Sequence, residues 1–329
     1  MSFLLGHRKR GGQPLVKPKR LKKGDTVALV NPAGVTLQAQ DVLDARNRIE
    51  SLGLKVQLGL HLLDRRGYFA GKDLDRASDL NQQFSDSRIA GIIALRGGWG
   101  SARILGYLDY NLIRDNPKVL LGFSDITALH MAIHSLTGLV TFHGPLGSSN
   151  WTSFSKEYLG RVLMRGEKVT FSNHITGSGA EVGTSYGVRT IREGRSVGPI
   201  LGGNLSVLCG IIGSNYLPNF ENSILFLEDV GEDVYRIDRM LTALKLAGIL
   251  GGISGFVFGQ CTGCSESTKV GSLSLDQVLD DHILPLGIPA WRGAMIGHID
   301  DQFTLPLGIR TEINASQGSI RLLETAVRS

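Results

Sequence analysis

The sequence predicts an α/β protein whose leading half is a parallel sheet covered by helices on both faces. Three observations carry this. Apolar runs of strand length recur without polar alternation, segments of helical period separate them, and glycine-rich or polar turns close them. The first run is TVALV at 26–30, closed by Asn31-Pro32-Ala33-Gly34. Residues 41–52 then show helical spacing and stop at Gly53. IAGIIAL at 89–95 is the second run, followed by Arg96-Gly97-Gly98-Trp99-Gly100 and a helix from Ser101. KVLLGF at 118–123 is the third, followed by Ser124, Asp125 and a helical pattern over 126–135.

A chain of 329 residues exceeds what one hydrophobic core supports, so two domains are expected. Residues 147–195 are rich in Ser, Thr, Asn and Gly and weakly periodic, and they read as a connecting region. Order resumes near Val197, with a helix opening at GGNLS (202–206), a strand in SILFLE (223–228) and an amphipathic helix over 234–246. GFVF (255–258) and IRLLE (320–324) read as further strands. The division is a basic tail at 1–23, a first domain at 24–150, a linker at 151–195 and a second domain at 196–329.

The formal charge of +5 belongs to the tail. Eight Lys and Arg precede the first acid, Asp25, so the remainder carries −3. A flexible solvated arm is expected there, with no nucleic-acid partner. The 43 glycines follow no fixed period, which indicates tight turns rather than a collagen-like repeat. The apolar start, Met1 to Gly6, is short and followed by its charges, the wrong order for a secretory signal. No run reaches the roughly 18 apolar residues of a membrane span. A cytoplasmic protein is expected, without a membrane partner. The cysteines Cys209, Cys261 and Cys264 are odd in number, and a single CxxC supplies too few ligands for zinc. Reduced thiols and no metal site are expected.

In an open parallel sheet, ligands bind beyond the carboxyl ends of the strands. Ser124 lies there, at a direct passage from strand to helix. That placement fits a nucleophile elbow, although Ile126 replaces the second glycine of G-x-S-x-G, and it equally fits a helix N-cap. The turn at 96–100 fits an oxyanion donor, a phosphate cradle or a plain βα turn. The dinucleotide fingerprint fails, because Arg103 occupies its third glycine position. A serine nucleophile needs a base and a group to orient that base. His143 and His298 follow apolar segments and are the candidate bases. Among the acids, Glu228 ends an apolar strand, with Asp229 and Glu232 close by.

Seven ordered motifs bind these fragments together: LRGGWG (95–100), GFSDIT (122–127), FHGP (142–145), GGNLS (202–206), LFLEDVGE (225–232), YRID (235–238) and IGH (296–298). Together they closely resemble the LD-carboxypeptidase family, which includes the microcin C immunity peptidases, over about residues 21–323. The resemblance implies a Rossmann-like parallel-sheet N-terminal domain carrying the nucleophile and a smaller β-rich C-terminal domain carrying its partners. It implies a catalytic triad of Ser124, Glu228 and His298, with the backbone N–H groups of Gly98 and Asp125 as oxyanion hole. No metal or organic cofactor is implied. Trp99 stands where tyrosine is common in the family.

The activity implied is removal of the terminal D-alanine from peptidoglycan tetrapeptides, at the bond following the L-centre of meso-diaminopimelate. The alternative is the immunity-type cleavage of peptidyl- or aminoacyl-nucleotide amides. The partner expected is a muropeptide or other small peptide, handled by a cytoplasmic homodimer during wall recycling. Arg96 and Arg292 are candidates for holding the substrate's terminal carboxylate.

Overall fold

The computed structural model describes residues 13–173, 187–266 and 271–329. The leading half supplies β1 (Thr26–Val30), β2 (Lys55–Leu58), β3 (Ile89–Ala94), β4 (Val119–Gly122) and β5 (Phe142–His143). These run parallel in the order β5-β4-β3-β1-β2. β4 is buried throughout and β3 nearly so, which is why neither alternates in polarity. Helix Ala39–Glu50 buries Val42, Ala45 and Ile49, a helical stripe. Helix Asp73–Ser85 buries Ala77, Leu80 and Phe84.

The second half, with the segment before it, supplies β6 (Thr170–Ser172), β7 (Arg189–Arg192), β8 (Arg195–Asn204), β9 (Ile224–Val230) and β10 (Gly255–Thr262). After them come β11 (Ala290–Arg292), β12 (Leu305–Pro306), β13 (Arg310–Asn314) and β14 (Ser319–Leu322). Eight of these form a mixed sheet in the order β6-β14-β13-β8-β9-β10-β11-β7. Its centre, β8 to β11, is parallel and its outer strands are antiparallel. β12 pairs instead with β5, antiparallel at the edge of the first sheet, where Pro306 removes no needed ladder bond.

Two stretches are tied in more closely than their composition suggests. The segment 151–195 holds helix Ser153–Leu159, and its strands β6 and β7 form the two edges of the second sheet; residues 174–186 lie outside the described residues. Of the basic segment 1–23, residues 1–12 also lie outside them. Residues 13–23 are not a solvated arm. Val16 exchanges backbone hydrogen bonds with Gly138 and Val140, and Arg20 and Leu21 donate to Arg328 and Leu163. Leu21 is buried in the main core, so its apolar surface anchors the chain while Lys19, Lys22 and Lys23 face outward.

Candidate active site

β4 ends at Gly122, and Ser124 follows with φ of +62°, a left-handed conformation that costs a residue with a Cβ about 1–3 kcal/mol. A 3-10 turn, Ser124–Ile126, leads into helix Thr127–Thr137. The sharp reversal puts the hydroxyl outside the helix start. Neither the turn nor the helix has a side-chain cap, and Ser124 Oγ–H donates instead to His298 Nε2 at 3.0 Å. Of the two readings left open by the sequence, the side chain therefore follows the elbow geometry.

Glu228 belongs to β9 and is fully buried. His298 Nδ1–H donates to Glu228 Oε2 at 2.9 Å, so the neutral ring leaves Nε2 free to accept from Ser124. Two bonds fix the backbone that carries the ring. Gln260 N–H donates to Ile296 O at 2.9 Å, and the Thr262 hydroxyl donates to His298 O at 2.9 Å. The ring also meets Phe123 edge-on, centroids 4.8 Å apart. Gly297, at φ +116°, is required here: a Cβ would stand 2.8 Å from Glu228 Oε2.

The turn after β3 packs directly on the elbow. A Cβ at Gly97 would lie 2.9 Å from Ser124 Cβ and 3.3 Å from the Asp125 nitrogen, so glycine alone permits this approach. That brings the Gly97 backbone against both Ser124 and the Asp125 nitrogen. The Asp125 side chain ties the two segments together. Its Oδ2 accepts from Ser101 N–H at 2.7 Å, and the Ser101 hydroxyl donates to Asp125 O. Burial pushes this carboxyl above its ordinary pKa. Arg76, itself buried, donates to Gly100 O at 2.9 Å and to Pro32 O at 2.5 Å, pinning the same turn from below.

The remaining candidates are placed elsewhere. His143 is fully buried between the rings of Phe123 and Phe226, and burial holds its pKa well below the usual value. It makes no hydrogen bond to Ser124. Asp229 accepts from Asn204 Nδ2 at 3.1 Å and Ser206 N–H at 2.9 Å; burial, with the adjacent Glu228 adding, pushes it up to about 6. Glu232 lies beside Arg236. Arg292 is engaged by Asp276 through two hydrogen bonds. Cys261 and Cys264 correct the expectation of reduced thiols: the turn between them brings their Cα atoms to 5.4 Å and they form a disulfide. The sequence offered no sign that Thr262, between them, holds the His298 backbone. His61, Asp64 and Asp75 bring ligand atoms within 4.8 Å of one another, a grouping able to hold a cation, but none of them lines the cleft.

The cleft over Ser124 and His298 has a volume of about 430 Å³, within the range of small-ligand sites. Arg96, Asp41, Leu146 and Val230 are among its walls. The arrangement supplies a serine hydroxyl held on a strained turn, a histidine bonded to it and a buried carboxylate that orients the ring, groups of the kind that acyl transfer requires.

Comparison with known proteins agrees with this chemistry. The LD-carboxypeptidase N-terminal domain matches residues 27–144, and the LD-carboxypeptidase C-terminal domain matches residues 197–313. The chain is 36% identical to a probable murein peptide carboxypeptidase of Bacillus subtilis, over 92% of each chain. It is 30% identical to the murein tetrapeptide carboxypeptidase of Pseudomonas aeruginosa, over 86% of this chain and 91% of that one. Among solved structures, the microcin C7 self-immunity protein MccF superposes with a TM-score of 0.86 at 25% identity, over 95% of this chain and all of the other. By sequence and by fold, the chain belongs to the LD-carboxypeptidase family of serine-type hydrolases.

Proposed function

We propose that this enzyme removes terminal D-alanine from murein tetrapeptides by cutting the L,D bond after meso-diaminopimelate, with Ser124, His298 and Glu228 as its triad. The observation that carries the reading is the continuous chain of hydrogen bonds from Ser124 Oγ through the His298 ring to the buried Glu228 carboxylate. Ser124 attacks the scissile carbonyl while His298 Nε2 takes its proton. Glu228 fixes the ring tautomer and stabilises the imidazolium that forms. The N–H groups of Gly98 and Asp125 receive the oxyanion; donors so placed each contribute about 3–4 kcal/mol. His298 then protonates the departing amine of D-alanine, and water activated by the same imidazole releases the acyl-enzyme. No step calls for a metal or an organic cofactor.

The preference for a murein substrate rests on the murein carboxypeptidases, the more similar of the relatives described. The reading extends to a cytoplasmic homodimer that recycles wall peptides. Immunity-type cleavage of aminoacyl-nucleotide amides is the second reading, favoured by the fold shared with MccF. The test offers the purified protein a diaminopimelate tetrapeptide and an aminoacyl-sulfamoyl adenylate in parallel. Release of D-alanine with the adenylate left intact is expected. Hydrolysis of the adenylate alone would move the assignment to the immunity type.

A further inference from the structure

We infer that Arg96 reads the free α-carboxylate of the residue being released and thereby makes the enzyme an exopeptidase. This rests on the carboxypeptidase reading above and names the group that enforces it. A carboxypeptidase must recognise a carboxylate only three bonds beyond the scissile carbon, at most about 4 Å away. The recognising cation must therefore stand in the same cleft as the nucleophile and close to the turn at Gly98.

Arg96 meets these requirements. It immediately precedes Gly97, the residue whose backbone packs against Ser124, and stands two residues before Gly98. It lines the cleft with Ser124 and His298, and no other Lys or Arg is among the described lining residues. The side chain is half-buried, and Nη1 donates to Val35 O at 2.6 Å, which orients the guanidinium. No carboxylate among the described residues pairs with it. Arg292, the other sequence candidate, is occupied by Asp276 and lies outside the cleft walls. A half-buried guanidinium, anchored on one side and unpaired on the other, presents the planar fork that binds carboxylates bidentately.

The test compares a diaminopimelate tetrapeptide ending in free D-alanine with the same peptide ending in D-alaninamide, on wild type, Arg96→Gln and Arg96→Lys. Wild type should prefer the free acid by roughly 10- to 100-fold in kcat/KM, the scale of a lost charge-assisted hydrogen bond. Arg96→Gln should abolish most of that preference through a raised KM for the acid, leaving the two peptides nearly equal. Arg96→Lys keeps the charge without the fork and should retain an intermediate preference, which also guards against a misfolded glutamine variant. An Arg96→Gln enzyme that keeps the wild-type preference overturns the inference and leaves the proposed function standing. Folded wild type that cleaves neither peptide overturns both.

Discussion

Replacing Gly297 with alanine tests how closely the Glu228–His298 contact depends on a missing side chain. The added Cβ would meet Glu228 Oε2 at 2.8 Å and Glu228 Cβ at 3.1 Å. Real Cβ atoms do not sit this close, and Glu228 cannot yield easily, since it is fully buried on a central strand. The backbone at φ +116° adds a cost of about 1–3 kcal/mol for any residue with a Cβ. The strain is relieved most directly by moving the 297–298 backbone away from β9, which lengthens the 2.9 Å bond between ring and carboxylate. A displacement approaching 1 Å at a catalytic group costs about 10²-fold in rate. Steady-state assay of D-alanine release should therefore show kcat reduced about 100-fold and KM changed little, since Gly297 is not among the cleft walls. Tm should fall by several degrees. A variant with kcat within twofold of wild type would refute the reasoning.

Other perturbations separate the parts. Glu228→Gln keeps the shape but offers His298 an amide; kcat should fall about 10⁴-fold, as when the orienting acid of a serine triad is neutralised, and a loss below tenfold would remove Glu228 from that role. Asp229→Asn tests the buried acid beside it. The folded pKa, about 6, lies above the unfolded value, so the native state binds more protons between about pH 4 and 6 and wild type loses stability as pH rises through that window. The two-unit shift corresponds to about 3 kcal/mol at most, fully expressed above pH 6. Denaturant titrations at pH 4 and pH 7 should show the wild-type-minus-variant difference changing in that direction. Asp79 and Asp125, also raised by burial, titrate alike in both proteins and cancel.

The sequence made β1, β3 and β4 legible because they are buried and run apolar without interruption, whereas the half-exposed β2 and the two-residue β5 and β12 left no such run. Ser124 was visible as a residue at a strand–helix junction, but its elbow role was not separable from capping by local pattern. The distinction lies in the +62° backbone and in a histidine 174 residues away, both of which are tertiary facts. The second sheet was only partly legible. β9 and β10 read as apolar runs, whereas the edge strands β6 and β7, short and half-polar, were lost in a Ser- and Gly-rich stretch. Residues 13–23 of the tail were misjudged by their charge, since Val16 and Leu21 supply enough apolar surface to hold them against the fold. Gly297, Thr262 and the Asp125 side chain escaped notice because their contributions are close approach and backbone support, which leave no periodic signature. In the IGH motif, the glycine before the histidine was the one available hint.

The central claim is that Ser124 is the nucleophile of a peptidase acting on D-alanine termini. The most direct measurement is kcat for D-alanine release from a diaminopimelate tetrapeptide by wild type and by Ser124→Ala, with both proteins shown to be folded. A fall of roughly 10⁴- to 10⁶-fold in the variant is expected, on the scale of nucleophile removal in serine peptidases. Undiminished release by Ser124→Ala would contradict the account.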